Sequence, residues 1–92
     1  MLTAQVIGTL VATRKHERLI GSKIQIVQPL NVREQTPQGE PFVAVDAVGA
    51  GVGEHVVVVC GSSARLALDT KLCPVDATII GIIDQVDLEK DL

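Results

Sequence analysis

A chain of 92 residues, 47% hydrophobic and with Phe42 as its single aromatic, has room for one domain over residues 1–92 and is too apolar to be disordered. Its net charge of −3, with no block of positive residues, argues against nucleic acid, whose binding needs Lys and Arg on phosphates and aromatic platforms under single-stranded bases. The longest apolar runs, such as Val56–Cys60, fall far short of the roughly 20 residues that span a bilayer as a helix.

The residues 3–13 (TAQVIGTLVAT) are rich in β-branched side chains and are expected as a strand, with Gly8 marking a bend or bulge. A polar connection follows over 14–22. Residues 23–30 (KIQIVQPL) alternate Ile24, Ile26 and Gln28 against Gln25, Val27 and Pro29, which predicts a second strand closed by Pro29. Two prolines and a glycine make 31–41 a loop, open to length variation. A third strand is expected over 42–48 (FVAVDAV), a glycine-rich turn over 49–53, and a fourth strand over 54–60 (EHVVVVC) ending at Gly61. Ser62 or Ser63 then suits the N-cap of a one- or two-turn helix through Leu68. After a loop over 69–74, residues 76–88 (DATIIGIIDQVDL) predict a fifth long strand with Gly81 inside it, before a polar tail.

Five strands and one short helix are the pattern of an all-β domain, a small five-stranded OB-like barrel, with a β-sandwich as the alternative. Glycines inside strands suit a tight barrel, which must bend its strands sharply. Two strands are apolar on both faces. Four consecutive valines, Val56–Val59, must send two side chains away from the interior, and Ile79, Ile80, Ile82 and Ile83 repeat the pattern. One short helix is too small to cover both strands, which points to a second copy of the chain as the cover.

Little in the sequence suggests chemistry. The glycine turn (VGAGVGE) lacks the G-x-G-x-x-G spacing of a dinucleotide site, and a strand follows where a helix would be required. Its glycines are expected to supply positive φ or close backbone approach. Ser62, Ser63 and Arg65 have no base beside them in sequence, so capping and a solvated or interface cation are their expected roles. His16, His55, Cys60 and Cys73 show no metal-ligand spacing. Asp46, Asp76 and Asp84 are expected in structural roles, turn capping for Asp76 and interface pairing for Asp46. No enzyme, cofactor or metal is expected. The Met1–Gln5 segment lacks the features of a signal peptide, so the cysteines are expected as reduced, cytosolic thiols, packed rather than reactive.

Three stretches in this order, VDAVGAGVGE over 45–54, GSSAR over 61–65 and PVDATIIGIID over 74–84, resemble the EutN/CcmL family of bacterial microcompartment vertex proteins. The segments VIGT over 6–9 and GSKIQIV over 21–27 match in kind, so the resemblance covers nearly the whole chain. It implies an OB-like barrel in a cyclic homopentamer that occupies the five-fold vertices of an icosahedral shell in the cytoplasm, among hexameric shell proteins. It also nominates Asp46, Gly49, Gly51, Gly53, Glu54, Ser62, Ser63 and Arg65 as subunit contacts or axial surface. His55 stands where family members often carry Trp or another bulky apolar residue. The other functional class open to such a barrel is a monomeric or dimeric OB-type module binding a metabolite or protein. A co-chaperonin-like ring suits it less, because residues 14–22 are too charged for a mobile apolar loop.

Overall fold

The computed structural model describes residues 1–11, 23–61, 64 and 76–88. Five strands follow in chain order: β1 (Leu2–Leu10), β2 (Lys23–Pro29), β3 (Phe42–Asp46), β4 (His55–Cys60) and β5 (Ala77–Ile82). They close into a barrel in the order β1-β2-β3-β5-β4, with β4 returning to β1. Every neighbouring pair is antiparallel except β3 with β5, which run parallel over Val45↔Thr78 and Asp46↔Ile79. The expected five-stranded OB-like barrel is therefore present, and the sandwich is not.

Closure depends on β1, which belongs to two ladders. Leu2–Gln5 pair with β4, while residues from Ala4 to Leu10 pair with β2. The register slips between Val6 and Gly8, leaving Ile7 unpaired as a bulge. An extra residue bends a strand and raises its twist, which lets one strand serve both sides of a small barrel. A second bulge falls beside Gly81, where Val57 faces Gly81 and Val58 faces Ile79. Both in-strand glycines thus adjoin a bend, as their placement predicts.

Alternation along the strands decides what fills the barrel. Ala4, Val6, Val27, Ala44, Val56, Val58, Ala77 and Ile79 point inward and are buried together, with Ala50 inserted from the turn after β3. Leu2 and Phe42 pack against this cluster while remaining partly exposed. Small aliphatic side chains suffice because a five-stranded barrel has a narrow interior.

Some boundaries differ from expectation. The third strand stops at Asp46 rather than residue 48, since Asp46 begins the turn. The fifth stops at Ile82 rather than 88, because its partner runs out: Ile82 faces Val56, and Ile83 makes a last backbone bond to the His55 carbonyl (2.7 Å). Beyond it the residues become polar, and Gln85 bonds Asp87 instead. The expected short helix falls, apart from Ala64, outside the described residues.

The doubly apolar strands are also resolved by the register. Val57 and Val59 are the outward valines of β4. Val59 lies beside Thr78, which lies beside Val45, and all three are buried. Thr78 bonds Ala64, itself fully buried, so this strip is shielded within the chain and only Val57 remains half-exposed. Exposed apolar surface lies elsewhere: at Ile7, Leu10 and Val43, which are between 43% and 48% exposed, and at Ile80 and Ile82, both 37% exposed.

Candidate functional site

Five of the eight nominated residues lie on one loop. Asp46 ends β3, and Gly49, Gly51, Gly53 and Glu54 follow before β4 begins at His55. Ser62, Ser63 and Arg65 lie outside the described residues.

The turn is built by short polar contacts that each need a particular residue type. One oxygen of the Asp46 carboxylate accepts from the backbone N–H of Val48 (2.9 Å) and of Gly49 (2.8 Å). A short acidic side chain reaches its own following amides in this way and starts a turn. Asp46, expected in interface pairing, thus caps the turn that follows it. Gly49 (φ 79°) and Gly53 (φ 94°) occupy the left-handed region that an L side chain avoids. Gly51 does not; its amide donates to Glu54 Oε1 (2.6 Å), while the Glu54 amide returns a bond to the Gly51 carbonyl (3.1 Å).

Two legs anchor this loop to the barrel. On the far leg, the Gly53 amide donates to the Val6 carbonyl (2.8 Å) and the Val6 amide donates to the Glu54 carbonyl (3.0 Å). Gln5 adds a side-chain bond to the Gly53 carbonyl (3.1 Å). On the near leg, the Ala50 methyl is fully buried in the core. Its carbonyl accepts from Gln25 Nε2 (2.7 Å) and from Lys23 Nζ (3.1 Å).

Gln25 is placed by alternation on one face of β2 but is assigned no role by it. It shares the inward face of β2 with Val27, has no solvent exposure, and bonds Thr9, Asp46 and Ala50 at once. The visible signal was its parity: a polar residue on the same face as Val27 is either an exposed flank or a buried anchor.

At the opposite end of the barrel, Cys60 is a free thiol. It is exposed rather than packed, and it lines an open cavity with Leu2, Phe42, Val43, Asp76 and Ala77. His55 lies in register with Gln5 at the edge of the β1–β4 ladder, and its Nδ1 is 3.1 Å from Gln35 Oε1. Gln35 belongs to the 31–41 loop, which is folded back by an isolated Leu30–Pro37 bridge and by Asn31, whose side chain accepts from the amides of Arg33 and Glu34. Cys73 and His16 lie outside the described residues. Among the described residues no group of three or more His, Cys, Asp or Glu is placed to hold a metal ion.

The turn and its anchors are contacts of shape and backbone. A single carboxylate cap, glycines in left-handed conformations and a buried alanine present a fixed surface; they assemble no nucleophile with a base.

Comparison with known proteins gives the family of the chain. The model of the family described as "Ethanolamine utilisation protein EutN/carboxysome" matches residues 1–84. The bacterial microcompartment shell vertex protein GrpN of Rhodospirillum rubrum is 45% identical over 87 residues, covering 95% of this chain and 97% of GrpN. The carboxysome shell vertex protein CcmL of Synechococcus elongatus is 47% identical over 89 residues, covering 97% of this chain and 89% of CcmL. Among solved structures, an ethanolamine utilization protein EutN superposes with a TM-score of 0.91 at 41% identity, over 96% of this chain and 91% of that one. The Rhodospirillum rubrum GrpN structure, described as a pentameric microcompartment shell protein, superposes with a TM-score of 0.87 at 44% identity, over 97% of this chain and all of that one. Fold, length and sequence agree along nearly the whole chain, which belongs to the EutN/CcmL family.

Proposed function

We propose that this chain is a non-enzymatic structural protein, a cyclic homopentamer that caps the five-fold vertices of a bacterial microcompartment shell. The observation that carries it is end-to-end similarity to GrpN, a pentameric shell protein by its description, with all of that chain covered. Curated relatives of both the carboxysome and the ethanolamine-utilisation type are shell vertex proteins.

The outer surface supports self-association. A head-to-tail ring requires two different patches on each subunit, which close when the rotation permits. One candidate patch runs across β1, β2 and β3, where Leu10 pairs with Ile24 and Gly8 with Ile26, and Ile26 faces Val43. Ile26 covers Gly8 there, its Cδ1 3.5 Å from where a Cβ would stand, an ordinary contact distance. The other is the apolar groove beside Val57, lined by Met1, Leu2, Thr3, Leu30 and Val32. The Asp46–Glu54 turn, with Ser62, Ser63 and Arg65, supplies further subunit contact or axial surface. Hexameric shell proteins would flank the ring, because a five-fold unit adds the curvature that flat hexamer sheets lack.

Native mass spectrometry tests this directly. A pentamer is expected at micromolar concentration, and a strictly monomeric species would overturn the proposal. In the producing cell, deletion is expected to leave shells elongated or unsealed without removing an enzyme activity.

A further inference from the structure

We propose that Gln25 is the positioning residue of the 46–54 turn: its buried side-chain amide sets the orientation in which that turn meets the neighbouring copy. This rests on the homopentamer proposed above.

A primary amide inside an aliphatic barrel is costly unless each of its polar atoms is bonded. Here they are. Oε1 accepts from the Thr9 hydroxyl (2.8 Å), and Nε2 donates to the Ala50 carbonyl (2.7 Å) and Asp46 Oδ2 (3.3 Å). The amide has a single sense, because a flip would set its oxygen against two acceptors, the Ala50 carbonyl and the Asp46 carboxylate. It therefore joins three segments with a defined polarity: the end of β1, the end of β3 and the middle of the turn.

The consequences for the turn follow from the bonds. Asp46 holds the Val48 and Gly49 amides with Oδ1 while Gln25 holds Oδ2. Loss of Gln25 frees that carboxylate to rotate, and leaves the Ala50 carbonyl, among the described residues, with only the Lys23 ammonium, on an exposed and long side chain. The far leg has its own backbone bonds between Gly53, Glu54 and Val6 and does not depend on Gln25. A core built for stability alone would carry a Leu or Met at this position, whose volume is similar and whose burial needs no partner. The amide contributes orientation instead.

The test uses the full chain with Gln25→Met, which keeps the volume and removes the bonds. Amide hydrogen exchange at Val48 and Gly49 is expected to rise about tenfold, the size of one lost charge-assisted or buried hydrogen bond, while Gly53 stays within about twofold of wild type. The pentamer fraction at limiting concentration, read by native mass spectrometry, is expected to fall with it. Unchanged exchange at Val48 and Gly49 overturns the positioning role, and so does raised exchange with an undiminished pentamer. If the wild-type chain itself is not a pentamer, the assembly proposal fails, and the exchange pattern still judges the turn. The unaltered protein offers a second reading should the variant not fold: the Gln25 side-chain amide protons are expected to exchange as slowly as β1–β2 ladder amides, and rapid exchange overturns the proposal.

Discussion

The Thr78 hydroxyl donates a 2.8 Å hydrogen bond to the Ala64 carbonyl, and both residues are fully buried. Through this bond Ala64 is held to β5 at the strip where Thr78 separates Val45 from Val59. Thr78→Val preserves shape and removes the donor, so the buried Ala64 carbonyl loses this bond. The expected loss is about 1–3 kcal/mol, measured by urea unfolding at one fixed protein concentration, because assembly links stability to concentration. A variant as stable as wild type would show that the bond contributes nothing.

The glycines divide into two kinds, and substitution separates them. Gly53 sits at φ 94°, with open space where a Cβ would stand, so Gly53→Ala is opposed by backbone conformation alone. It is expected to cost about 1–2 kcal/mol. Gly8 has no positive φ, and a Cβ there would meet Ile26 at ordinary contact distance. Gly8→Ala is therefore expected to change barrel stability by less than about 0.5 kcal/mol. Paired thermal melts check the contrast, and equal losses would contradict it.

Gln35 is the one described non-glycine residue with positive φ, at 57°. Its side chain holds it there: Nε2 donates to the carbonyls of Asn31 (3.3 Å) and Val32 (3.0 Å), and Oε1 faces His55 Nδ1. An oxygen partner requires the proton on Nδ1. His55→Phe keeps a ring on β4 and removes the donor. Exchange of the Gln35 and Asn31 amides, which bond the Asn31 and Thr36 carbonyls, is expected to rise about two- to tenfold. Amides of the β1–β2 ladder should keep their rates; a change spread evenly over the barrel would rule out a local latch.

Among the described residues Ile79 is the largest fully buried aliphatic side chain, and it stands where β5 meets both β3 and β4. Ile79→Ala opens a cavity at the barrel's only parallel seam. Such a truncation costs about 2–5 kcal/mol, which for a domain of this size lowers the melting temperature by about 10 °C or more. Calorimetry at matched concentration measures it, and a shift of a degree or two would mean that the seam collapses around the space.

Particular residues show how far the sequence alone reached. Alternation in Lys23–Pro29, the valine run of β4 and the punctuation by glycine and proline located all five strands, because side chains in a strand alternate faces and turns require special backbone angles. Gly8 marked its bend because a glycine inside a strand weakens the ladder there. The ordered motifs from Val45 to Asp84 carried the family. Ends of strands were less visible: the isoleucine-rich stretch after Ala77 reads as strand well past Ile82, and only the position of β4 shows that no partner remains.

What determined the strands was local: apolar periodicity and backbone freedom lie within a few neighbouring residues, so one dimension records them. What the tertiary structure decided was remote. Val59 is hidden and Ile80 is not because of which strand or segment lies alongside each one. Gln25 is an anchor because the closed barrel brings Thr9, Asp46 and Ala50 within reach of its amide. Such meetings join residues as many as 25 positions apart, and a pattern confined to near neighbours carries no trace of them.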